Sequence, residues 1–165
     1  MFCMETTKCS CGCDKCKCEF NPCAVTCGQC VKDFGDYAYI YNITEQEVEE
    51  NEAVEFSSNG SLSGSITHIA GSENIVINRT GVYLINFYVN SDDDSRITVY
   101  RNGEPIQGST YDVDDGANYG QLIAALQTGD VITLVNTGNN DIDLDDAGNG
   151  AETVVNASMT FVRLF

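Results

Sequence analysis

The chain has 165 residues, which suits one domain of ordinary size with some length to spare. Asp and Glu number 25 against 8 Lys and Arg, a formal charge of -17. A surface of that sign repels phosphate backbones and anionic lipid, which argues against nucleic-acid and membrane partners. The excess is uneven: Met1 to Asp36 carries four Lys and five acids, whereas Tyr37 onward carries four Arg and 20 acids. On the later part it reads as a solubilising surface. Met1 to Phe20 has no apolar run of the roughly 7 to 15 residues an export signal needs, and no later stretch approaches the roughly 18 of a membrane span. The expectation is a protein made without a standard export signal.

The first 36 residues are expected to form a separate, irregular arm. All nine cysteines lie there, at Cys3, Cys9, Cys11, Cys13, Cys16, Cys18, Cys23, Cys27 and Cys30. Few large apolar side chains accompany them, so the segment cannot hold a fold without cross-links or metal. Two readings compete. The thiols can form disulfides, and because nine is odd at least one stays free or pairs with another chain. Alternatively they bind soft metal ions: Cys13, Cys16, Cys27 and Cys30 make two Cys-x-x-Cys pairs compatible with a four-thiolate zinc site. The Cys-x-Cys spacing from Cys9 to Cys18 also resembles the repeats of metallothioneins. Cross-linking leads, although cytosolic thiols ordinarily stay reduced. A redox-enzyme reading of Cys27-Gly-Gln-Cys30 lacks the helix that such pairs need.

From Tyr37 the pattern is uniform. Tyr37 to Ile43 is an alternating aromatic strand, Glu45 to Glu52 an acidic helical turn or loop, and Ala53 to Phe56 a short strand. Ser57 to Gly64 reads as a Gly/Ser turn region, Ser65 to Ile69 and Asn74 to Asn78 as strands. Arg79-Thr80-Gly81 breaks the chain before the longest apolar run. In that run Tyr83, Ile85, Phe87 and Val89 point one way, and Leu84, Asn86 and Tyr88 the other. Both faces are largely apolar, so one meets a core and the other a second layer or a neighbouring subunit. Arg96 to Arg101 follows, and Asn102-Gly103 is the strongest hairpin signal, because a primed turn needs positive φ. Pro105 to Val113, Tyr119 to Leu126, Val131 to Asn136, Ile142 to Leu144 and Thr153 to Phe165 complete the strands. Short strands separated by Gly, Asn and Asp, with no helix pattern, predict an all-β antiparallel sandwich or jelly roll. Gly116, Gly120 and Gly129 read as turn glycines, and no loop feeds a helix as a nucleotide site requires.

Three pieces resemble one family when taken together: Gly81 to Val89, Val99-Tyr-Arg-Asn-Gly-Glu, and Leu126 to Asn136, closed by Ala157 to Phe165. They are similar to the globular heads of the tumour-necrosis-factor and complement-globular-head superfamily, and most of all to the C-terminal domain of collagen-like exosporium glycoproteins of spore-forming bacteria. The resemblance covers Tyr37 to Phe165. It implies a jelly roll of about ten strands that associates as a trimer. It further implies that Leu84, Tyr88 and Tyr100 form the interface, and that the apolar end Phe161 to Phe165 is an inner strand. The chain departs from the exosporium proteins in lacking a Gly-x-y stalk, whose place the cysteine arm takes.

Catalysis finds little support. His68 is the only histidine, and it reads as an ordinary strand residue. Asp141, Asp143 and Asp145, with Asp92 to Asp94 and Asp112, Asp114 and Asp115, are candidates for calcium. Alternation on a strand instead favours a solvated acidic rim. The functional expectation is a non-enzymatic structural protein whose trimeric heads are joined through the arms into a spore-surface layer or filament, exposed when the mother cell lyses. An adhesive tip and metal-thiolate binding are the alternatives.

Overall fold

The computed structural model describes residues 35–144 and 154–165. The nine cysteines lie outside these residues, as does Asp145, and so do the cross-linking and thiolate-metal expectations.

Among the described residues the head has twelve strands. They are β1 (Tyr37–Asn42), β2 (Gln46–Val48), β3 (Ser58–Ser63), β4 (Ile66–His68), β5 (Ile75–Ile77) and β6 (Gly81–Ser91). Then come β7 (Ser95–Arg101), β8 (Glu104–Val113), β9 (Gly116–Leu126), β10 (Val131–Asn136), β11 (Ile142–Leu144) and β12 (Ala157–Arg163). Two five-stranded sheets carry the orders β3-β1-β12-β6-β9 and β4-β5-β10-β7-β8, and β2 pairs with β11 beside them. Every ladder is antiparallel. Sequence neighbours repeatedly enter opposite sheets, which is the jelly-roll winding.

The alternation in β6 organises the core. Tyr83, Ile85, Phe87 and Val89 are buried, and so are Ala157, Met159 and Phe161 of β12 and Ala38 and Ile40 of β1. From the other sheet Ile66, Ile75, Ile77, Ile97, Val99, Ile132 and Leu134 join the same cluster. Period-2 alternation puts each strand's apolar set on the shared face, and burying it is the main force holding the sheets together. Tyr83 is wholly buried because its hydroxyl has an internal acceptor, donating to the Arg79 carbonyl at 2.6 Å.

The β7-β8 hairpin turns on Asn102 and Gly103, with φ of 55° and 82°. The Asn102 amide donates to Asp130 Oδ1 and its Oδ1 accepts from the Val131 N–H, both at 2.8 Å, so the turn is tied to the start of β10. Gly120 departs from expectation. It sits within β9 opposite Phe87, and a Cβ there would overlap the Phe87 ring. It serves packing, not a turn.

Other segments differ in type. Ser57 to Gly64 contains β3, an edge strand of Ser, Asn and Gly that pairs only with β1 and has no apolar alternation to betray it. The acidic stretch after Glu45 contributes β2, anchored by buried Val48 against Ile142. Ala53 to Phe56 is no strand but makes isolated bridges to Val135 and Ser72. At the end of the chain Phe161 is buried, whereas Leu164 and Phe165 are exposed. They lie past the end of β12, held by Leu164 N–H to the Val82 carbonyl and Val82 N–H to the Phe165 carbonyl.

Candidate functional site

The outer face of the β3-β1-β12-β6-β9 sheet is built from the residues that alternate with the core set. Register aligns them in rows across four strands. One row is Tyr41, Ser158, Tyr88 and Tyr119, the next Tyr39, Thr160, Asn86 and Gln121, and the third Tyr37, Val162, Leu84 and Ile123. Not one of these twelve side chains is charged. Beyond them, Ser58 and Ser63 of β3 lie opposite Tyr41 and Tyr37. The first row is aromatic apart from Ser158, the third aliphatic apart from Tyr37, and the second polar apart from Tyr39.

Apolar exposure concentrates here. Tyr119 is 66% exposed and Ile123 65%, and Tyr37 and Tyr39 are exposed as well. Leu164 and Phe165 add to the aliphatic end through their bonds to Val82. Tyr88 and Tyr119 meet with ring centroids 5.0 Å apart, and Tyr39 stacks on Tyr41 at 5.3 Å. Burial raises the Tyr88 phenol above its ordinary value, and the neighbouring Tyr119 adds to the effect. Dispersed apolar side chains are normal on a surface, but a contiguous patch of this kind marks a contact.

The opposite sheet presents a contrasting face. A groove of about 640 Å³ opens there, lined by Glu47, Glu52, Glu55 and Glu73 together with Tyr100 and Thr133. Tyr100 belongs to β7, in the second sheet, so it does not share a face with Leu84 and Tyr88. The pairing of β7 between β10 and β8 is what separates them.

The head begins before β1. Gly35 and Asp36, which the sequence reading assigns to the arm, bond to β3 and β12: Ser63 donates its hydroxyl to the Gly35 carbonyl, and the Arg163 N–H donates to the Asp36 carbonyl. The buried Asp36 carboxylate takes ion pairs from Arg79 at 3.1 Å and Arg163 at 3.4 Å. Tyr37, next in sequence, begins the third row.

His68 is buried between Asn59 Oδ1, 2.6 Å from Nδ1, and the Ser72 carbonyl, to which Nε2 donates at 2.8 Å. Phe56 packs on its edge. The histidine ties β4 to β3 and takes part in no nucleophile arrangement with its partners. Asp141 accepts the Glu50 N–H and Asp93 accepts the Asp143 N–H, so those carboxylates close loops. Among the described residues no three metal-ligating side chains converge.

No family model and no curated protein matches the chain. Solved structures do. The crystal structure of murine APRIL superposes with a TM-score of 0.58 at 18% identity, covering 78% of this chain and 98% of that one. The globular domain of zebrafish complement 1qA protein gives 0.62 at 11% identity, covering 79% and 98%. Eiger TNF from S. frugiperda gives 0.54 at 18% identity, covering 79% and 93%. The head therefore has the jelly-roll fold shared by the tumour-necrosis-factor-like and complement-globular-head proteins.

Proposed function

We propose that this protein is a self-assembling structural component of a spore surface. Its heads associate as homotrimers through the outer face of the β3-β1-β12-β6-β9 sheet, and its N-terminal cysteines join trimers covalently into a layer or filament. The observation that carries the reading is the composition of that face. In a chain of charge -17, a sheet face without a single charge, carrying Tyr37, Tyr39, Tyr88, Tyr119, Leu84 and Ile123, is fitted to a second copy of itself. A basic partner would go to the carboxylates elsewhere. Three arms leaving one end of a trimer would bring many thiols to one junction, where even partial pairing resists extraction. Synthesis in the mother cell followed by oxidation after lysis would give the thiols a setting in which they pair.

The test is electrophoresis of detergent-boiled native material with and without reductant, beside a variant with the nine cysteines changed to Ser, and negative-stain microscopy of each. The proposal expects ladders or unextractable material that collapse to the 17.9 kDa chain only with reductant, and no ordered assemblies from the variant. A single 17.9 kDa band without reductant overturns the covalent connector. A second reading, a trimeric recognition head, is favoured by the acidic groove on the outward sheet. It expects soluble trimers that persist without assembling.

A further inference from the structure

The middle row of the assembly face is polar where its neighbours are apolar. Asn86, Gln121 and Thr160 lie side by side in register, flanked on one side by Tyr88 and Tyr119 and on the other by Leu84, Ile123 and Val162. Among the described residues their side chains bond to nothing within the subunit. The buried amides of Asn42, Asn118 and Asn136, by contrast, each find partners inside the fold. On an open surface the middle row costs nothing, because water satisfies it. Covered by another copy it loses that water, and each amide left without a partner is then a penalty.

We infer that Asn86, Gln121 and Thr160 form a hydrogen-bonded layer between copies of this chain, and that this layer fixes how the copies align. The inference rests on the trimer reading above and names the residues that make its geometry unique. An amide both donates and accepts, so the same row from three copies meeting at one height around a threefold axis can satisfy itself. The tyrosine and aliphatic rows on either side are permissive, since large apolar groups pack acceptably in several alignments. The polar row is not. A slipped or rotated docking sets Asn86 and Gln121 against Tyr88 and Tyr119, or against Leu84 and Ile123, where the amides are stranded. Such a layer lowers the attainable affinity and removes the alternatives, as a lone polar residue does in an apolar helix seam. The occupant is a second copy because the face is uncharged in a strongly acidic chain.

The experiment uses the full chain held in reductant, so that only the heads associate, followed by native mass spectrometry and sedimentation over a dilution series. It compares wild type with Asn86→Leu, Gln121→Leu and the double variant, each checked for fold by far-ultraviolet circular dichroism. Either single substitution is expected to weaken the trimer about tenfold, by stranding the amide opposite. The double variant is expected to recover most of that loss while splitting into more than one oligomeric species. Single substitutions that change affinity less than twofold, or additive losses with one trimeric species throughout, overturn the layer. Wild type that is monomeric in reductant fails before any substitution is made, and that result overturns the trimer itself. Should Asn86→Leu misfold, Gln121→Leu on the exposed side of β9 carries the test alone.

Discussion

Asp36 ties the start of the head to Arg79 before β6 and to Arg163 at the end of β12. Its carboxylate is buried with one oxygen facing both Arg79 and Arg163, and Gly64 leaves room for the other, since a Cβ there would overlap Asp36 Oδ1. Arg163 also donates to the Thr80 carbonyl and Arg79 is half exposed, so neither cation is stranded if the acid is lost. Asp36→Ala should therefore cost about 2 kcal/mol in urea unfolding, below the figure for a pair sealed from water. Tyr88 sets a pH limit. Its phenol is raised above 10.0 chiefly by burial, so folding favours the neutral form. The stability it contributes is full below pH 10 and falls as pH rises through the raised value, because the unfolded phenol ionises first. Tyr88→Phe should flatten the alkaline limb of a stability-pH curve, relative to wild type, in denaturant titrations above pH 10. An unchanged limb would mean that Tyr88 ionises as freely in the folded head as in the open chain.

Among the elements, β9 carries a constraint that its own sequence hides. Gly120 faces the core opposite Phe87, and that ring occupies the space of its missing side chain. Gly120→Ala should destabilise by about 1–3 kcal/mol, since the ring can move only into a packed interior. Thermal unfolding measures it, with Gly120→Ala/Phe87→Leu expected to recover part of the loss. In the sequence this glycine is indistinguishable from Gly116 and Gly129, which have positive φ at turns, because the difference lies in a partner 33 positions away. The same cause explains which strands were legible. β6, β7, β10 and β12 announce themselves by alternation of apolar side chains, and Asn102-Gly103 by turn chemistry. β3 and β2 do not, because an edge strand of Ser and Gly is specified by the neighbour that pairs with it. The uncharged sheet face was half legible. Leu84 and Tyr88 follow from β6 alone, and the Tyr37, Tyr39, Tyr41 alternation was visible, but only sheet order places them beside Tyr119 and Ile123 and sends Tyr100 to the other side.

Taken whole, the molecule divides its charge by face. The acids sit on the second sheet and the loops, Glu47, Glu52, Glu55 and Glu73 around one groove and Asp94, Asp112 and Asp114 around another. The first sheet carries none on the twelve positions of its outer rows. The proposed association through that sheet would bring together subunits of charge -17 without any compensating ion pair in the contact. The attraction is burial of Tyr and aliphatic surface, nearly indifferent to salt, whereas the repulsion acts over the screening length. That length shrinks from about 30 Å at 0.01 M to about 10 Å at 0.1 M, so added salt removes repulsion and leaves attraction in place. The trimer should tighten several-fold between those concentrations, measured by sedimentation of the reduced chain. Sulfate should act more strongly than chloride at equal ionic strength, because it also favours apolar burial. An interface built on ion pairs would weaken over the same range. Weakening would therefore place the contact on the charged sheet and remove the uncharged face from the assembly.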